Sequence, residues 1–187
     1  MTETPTRRRG DTRARIQEVA LERFTDNGYD QTSLREIAED LGVTKAALYY
    51  HFKTKDEILE SLLSEASVAL DALVTWMLAE PSTRERRVEM IRRLGEITQG
   101  VPGDVMRCIQ QNEVALQNLG TTTTLVHDLK VRLWQAALPD DASMEDRLRI
   151  RMATMAVLIA NKPGNDLGGT AAARAAAAQA IAEDLIR

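Results

Sequence analysis

Between Thr44 and Lys55 the chain gathers side chains suited to a phosphate backbone and to base edges. The run Thr44-Lys45-Ala46-Ala47-Leu48-Tyr49-Tyr50-His51-Phe52 sets a hydroxyl, an ammonium, two phenols and an imidazole around only two large apolar anchors, Leu48 and Phe52. Lys45 is long enough to reach a base acceptor or a phosphate. Ala46 lets a helix N-terminus come close to base edges, and Tyr and His donate to phosphate oxygens. Lys55 falls in the first turn of a following helix, where free amides and the helix dipole also favour phosphate. Tyr49 has two readings, phosphate contact or packing between helices, and His51 is either a contact or a cap on its own helix. Catalytic chemistry is not expected. The chain shows no metal-ligand cluster, no glycine-rich phosphate loop and no nucleophile with an evident base. With two histidines, His51 and His127, and one cysteine, Cys108, neither a metal site nor a disulfide scaffold is expected, and no cofactor is implied.

Such groups need a scaffold, and helical spacing supplies it. Ser33-Leu34-Arg35-Glu36 reads as a capping box that opens a short helix with Leu34, Ile37, Ala38 and Leu41 on its inner face. Gly42 breaks that helix, and Thr44 caps the next. Helix, glycine turn and helix over residues 33–52 is helix-turn-helix spacing, which lets the second helix enter a major groove. A helix over 11–27, with Ile16, Val19, Ala20 and Phe24 on one face, braces the pair and ends at Asp26-Asn27-Gly28. Thr54-Lys55-Asp56-Glu57 is a second capping box. It opens a long helix that Pro81 stops. Further helices are expected near 83–98, 102–119, 122–138, 142–160 and 168–186, with no strand signal between them. The fold class is therefore all-α, with about nine helices. The expected division is a helix-turn-helix head over 1–53 and a helical body over 54–187.

The charge agrees once it is divided. The 187 residues are 44% apolar and 28% charged, with a net charge of −4. That apolar share supports a core and excludes a disordered chain. The overall acidity argues against a nucleic-acid partner, but it lies in the last two-thirds. Residues 1–55 hold ten basic and nine acidic groups, and five arginines fall among the first fifteen residues. Arg7–Arg9 read as a solvated arm or as an arm that contacts DNA. No apolar run follows these arginines, so a secretory signal is not expected, and no apolar stretch is long enough to span a bilayer. A cytoplasmic protein without a membrane partner is expected.

The segment from Ile16 to Leu59 resembles the DNA-binding domain of the tetracycline-repressor (TetR) family. The resemblance rests on Phe24-x-x-x-Gly28-Tyr29, on Thr32-Ser33-x-x-x-Ile37-Ala38 and on Gly42-Val43-Thr44-x-x-x-Leu48-Tyr49-x-His51-Phe52-x-x-Lys55. It covers about residues 10–60. It implies a homodimeric, one-component transcription regulator, usually a repressor, whose heads bind a palindromic double-stranded operator. An all-α C-terminal domain would dimerise and enclose a small-molecule effector. Carried over by motif, Ser33, Lys45, Ala46, Tyr49, Tyr50, His51 and Lys55 lie where the family contacts DNA, and Thr44 begins the recognition helix.

Beyond residue 60 the inferences rest on residue type. Trp76, Met90, Met106, Cys108, His127, Trp134 and Met155 fall on helices that would line a family-type pocket, since Met and Trp shape adaptable apolar cavities. Taken singly, each reads more readily as ordinary core. Leu148, Met152, Met155, Ala156 and Ile159, with Ile181 and Leu185, form apolar stripes on the last two helices. Doubled by symmetry, they would make a four-helix dimer interface. Two other readings stay open: a DNA-binding regulator without an effector, and an all-α ligand-sequestering protein.

Overall fold

A computed structural model describes residues 9–116, 120–162, 164 and 166–186. Among them are ten helices and no strand. The head comprises α1 (Arg9–Asp26), α2 (Leu34–Leu41) and α3 (Lys45–His51). The body comprises α4 (Lys55–Leu78), α5 (Arg84–Gln99), α6 (Val101–Gln111), α7 (Glu113–Leu116), α8 (Gly120–Ala137), α9 (Met144–Ile159) and α10 (Ala171–Leu185).

Local chemistry sets most helix starts. Ser33, Thr44, Thr54, Thr83, Ser143 and Thr170 each accept an N-terminal amide through the side-chain hydroxyl. Each such cap satisfies one of the amides that a helix start leaves unpaired. The expected helix over 102–119 is in fact two, α6 and α7, which raises the count from nine to ten. The break falls at Asn112, whose buried side chain bonds both the Cys108 carbonyl of α6 and the head. The helix expected from 168 starts instead at Ala171, because Gly168 and Gly169 take left-handed φ values of 64° and 66°.

Two apolar cores divide the molecule, and α4 runs through both. Ile16, Phe24, Ile37, Leu48 and Phe52 of the head join Ile58, Leu59 and Leu62 of α4 with Val105 and Cys108 of α6. The second core joins Leu73 and Met77 of α4 to Met90 and Leu94 of α5, Leu133 of α8, Ile150 of α9 and Ala182 of α10. Burying each large apolar side chain contributes about 1.5–3 kcal/mol. The head therefore has no separate core of its own. Its apolar floor is made of α4 and α6. Gly103 lets α6 lie directly on the end of α5, since a Cβ there would overlap the Thr98 carbonyl.

Candidate nucleic-acid interface

Leu48 and Phe52 fix α3 by full burial, and the opposite side of the helix stays in solvent. The α2–α3 turn is closed by Gly42 at φ 63°, whose amide donates to the Ala38 and Glu39 carbonyls. A side chain would strain that backbone, which favours glycine. Arg23 holds α2 against α1 by a two-pronged bond to Asp40, with Nη2 to Oδ1 at 2.8 Å, and reaches Glu36 at 3.6 Å. That bond holds the Asp40 carboxyl below its usual range. Arg13 of α1 lies 4.2 Å over the Phe52 ring and donates to the His51 carbonyl at 3.5 Å, which covers the end of α3.

The exposed face of α3 consists of Lys45, Ala46, Ala47 and Tyr50. Tyr50 keeps 59% of its surface in solvent and stacks edge-on with His51 at 5.3 Å. These side chains come together as the spacing implied. Thr44 is spent as the α3 cap, accepting from the Ala47 amide at 3.2 Å. Ser33 is likewise committed: its hydroxyl donates to Glu36 Oε2 at 2.7 Å and accepts from the Glu36 amide at 3.3 Å. These bonds depress the Glu36 carboxyl below its ordinary value, led by the Ser33 hydroxyl. Tyr49 is half-buried against the head core, and its ring lies 5.4 Å from the Lys45 ammonium. His51 is half-buried as well.

Lys55 is placed differently from the expected phosphate contact. Its ammonium donates to the Tyr29 carbonyl at 2.7 Å and to the Thr32 carbonyl at 3.4 Å, and sits 4.3 Å over the Tyr29 ring. One N–H remains for an outside partner. Lys55 is thus first a strut under the turn between α1 and α2. The Tyr29 hydroxyl donates to Asp56 beside it, and burial together with that carboxylate holds the phenol protonated well above its usual range. Arg7 and Arg8 lie outside the described residues.

Residues 16–62 match the family model for bacterial regulatory proteins of the tetR family. This stretch, which holds α2, α3 and the start of α4, is similar to the DNA-binding region of the TetR family. It is 31% identical over 114 residues to the transcriptional regulator AcrR of Shigella flexneri, a match that covers 61% of this chain and 43% of that one. It is 41% identical over 63 residues to the regulator TtgR of Pseudomonas putida, covering 34% of this chain and 30% of the other. The chain therefore spans less than half the length of these curated relatives. In fold it is similar to the TetR-family regulator PfmR of Thermus thermophilus, with a TM-score of 0.68 at 22% identity over 92% of this chain and 97% of the other.

In the helical body, an apolar cavity of about 30 Å³ lies between α4, α5, α6, α8 and α9. Leu63, Leu70, Leu94, Met106, Leu133 and Leu158 are among its walls. Of the seven residues expected at a pocket, Met106 lines it. The other six do not, for separate reasons. Met90 is fully buried in the second core, and Cys108 faces the head, where burial pushes its thiol pKa up. The Trp76 ring is held between the Arg86 and Arg93 guanidinium groups at 4.2 and 4.1 Å. Trp134 donates its indole N–H to Thr154 at 2.7 Å, His127 is exposed, and Met155 is half-buried outside the cavity walls. The walls are mostly apolar residues contributed by five helices, and no short-range sequence signal distinguishes them from other core positions. Among the described residues no group of His, Cys, Asp or Glu is placed to hold a metal, and no helix is long and apolar enough to cross a membrane.

Proposed function

We propose that the protein is a ligand-responsive, one-component transcriptional regulator, most simply a repressor. It binds a palindromic operator as a homodimer in the cytoplasm and is released by a small apolar or amphipathic effector. Residues 1–53 are assigned DNA binding, and 54–187 effector binding and dimerisation. The observation that carries this reading is the polar, solvent-facing side of α3, set on the buried Leu48 and Phe52. Lys45, Ala46 and Tyr50 take base and phosphate contacts there, with Tyr49, His51 and the remaining N–H of Lys55 at the margin. Dimerisation is supported by Leu148 and Met152 of α9, exposed by 55% and 58%, and by Ile181 of α10, exposed by 57%. Large apolar side chains grouped in this way on adjoining helices favour a protein partner. The two recognition helices would then read half-sites about 34–36 Å apart.

Coupling has a physical path. Asn112, at the end of α6, accepts the Tyr29 amide at 2.7 Å and donates to the Phe24 carbonyl at 3.0 Å. Met106 on the same helix lines the cavity. A ligand that displaces α6 therefore shifts the α1–α2 junction, and the operator affinity changes by the ligand's preference between the two arrangements.

One observation favours the second reading, a regulator without an effector: a volume of about 30 Å³ is too small for a drug-sized molecule. An effector has to spread the helices to enter. Anisotropy titrations with DNA flanking the chain's own gene test the first reading. Lys45→Ala is expected to weaken binding and to lower the salt slope of log K by about one per half-site. Unchanged affinity and slope would remove α3 from the interface. Release of that DNA by no apolar compound would leave the second reading.

A further inference from the structure

Helix α8 borders two hollows in the body. Its Leu129, Lys130 and Leu133 line the small apolar cavity, whereas its Trp134 and Leu138 line an open cleft of about 140 Å³ against α9. Ile150 of α9, only 2% exposed, floors that cleft, and the exposed Arg147 and Arg151, one helical turn apart, form its rim. The Trp134 indole is fixed by its N–H bond to Thr154 at 2.7 Å, and the Arg151 guanidinium lies 5.1 Å from its ring centre. These two arginines differ from most others in the body. Six arginines there each hold a carboxylate. Among the described residues no carboxylate reaches Arg147 or Arg151, although acidic residues outnumber basic ones beyond residue 55. The acidic residues of the first turn of α9 are spent elsewhere, Glu145 on Arg149 at 2.6 Å and Asp146 on the Ser143 hydroxyl and amide.

Like charges four residues apart oppose the helix that carries them, and an anion between them removes that repulsion. Small-molecule sites commonly combine apolar walls with a few placed polar groups. We propose that the α8–α9 cleft is a binding site for a small aromatic carboxylate. The ring packs against Trp134, Leu138 and Ile150, and the carboxylate takes the two guanidinium groups at the rim. A guanidinium fork matches the two oxygens of a carboxylate, and an apolar hollow of about 150 Å³ is known to accept a benzene ring. An inorganic anion would satisfy the arginines and leave the apolar floor wet. The proposal goes beyond the effector reading and does not depend on it, because occupancy of the cleft is measured without DNA.

Calorimetric titration of the full chain with benzoate, benzamide and acetate tests it. Benzoate is expected to bind about tenfold more tightly than either of the others, since benzamide lacks the charge and acetate lacks the ring. Arg147→Ala and Arg151→Ala are each expected to weaken benzoate about tenfold. Arg149→Ala removes a guanidinium already held by Glu145 and is expected to leave benzoate binding unchanged. Positions 147 and 151 are exposed, so both variants should keep the native melting temperature. Benzoate that does not bind, or that binds no better than benzamide, overturns the proposal. So does binding that survives both substitutions, or an equal loss in Arg149→Ala, which would reduce the effect to general attraction. Acetate as tight as benzoate overturns the aromatic class. Dissociation of the dimer in the two variants, read by sedimentation equilibrium, also overturns the site, because the arginines then pair with a second copy of this chain.

Discussion

At the residue scale, Asn112 concentrates more structure than any other side chain described above. Its amide bonds the Tyr29 amide, the Phe24 carbonyl and the Cys108 carbonyl. Removing it leaves two or three buried backbone groups unpaired. Asn112→Ala is therefore expected to cost about 2–4 kcal/mol in urea unfolding, well above a surface substitution. Nothing in its sequence neighbourhood announces this role, because its partners lie 83 and 88 positions away. Lys55 shows a related limit. Its type and its place at a helix start suggested phosphate, while the fold supplies it with carbonyls and a tyrosine face. By contrast Ser33, Thr44 and Thr54 were legible as caps, since each bonds an amide only three residues on.

At the element scale, α2 is held by its cap and by Arg23. Ser33→Ala removes the hydroxyl half of the capping box, leaves the backbone amide of residue 33 to donate to Glu36, and is expected to cost about 0.5–2 kcal/mol. The same bonds give the head an acid limit. Glu36 and Asp40 titrate below their ordinary values of 4.5 and 3.8 when folded. A depressed carboxyl stabilises the fold above its unfolded pKa, and that contribution is lost as pH falls through the folded value. Thermal melts from pH 6 downward should therefore show a loss of stability beginning near pH 4.5. In Ser33→Ala that loss should be shallower, because Glu36 then titrates closer to its unfolded value. Helix positions were legible from apolar spacing and caps nearly everywhere. The α6–α7 break was not, because it depends on a tertiary bond and not on a local breaker.

At the scale of the whole molecule, the head cannot be separated from the body by a cut at residue 53. Its core includes Ile58, Leu59, Val105 and Cys108. The exposed apolar side chains of α9 and α10 lie far along the chain from that shared core and belong to the proposed dimer. Leu148→Glu combined with Met152→Glu is expected to give a folded monomer by sedimentation equilibrium and to abolish tight operator binding, because two linked heads bind far more strongly than one. A dimer that survives both charges would place the interface elsewhere. The apolar stripe on α9 was legible from periodicity. The cavity was not, since its walls come from five helices distant in sequence.

The bond from the Tyr29 amide to Asn112 also gives the molecule a built-in gauge. That main-chain proton is sheltered by a side chain from α6, not by its own helix. Its exchange with deuterated solvent is therefore limited by the undocking of α6 from the head. Amides inside α1 exchange only when that helix opens. A compound that loosens α6 should speed deuterium uptake at Tyr29 while leaving the middle of α1 unchanged. The ratio of the two rates would then follow the regulatory state of the protein in the absence of DNA.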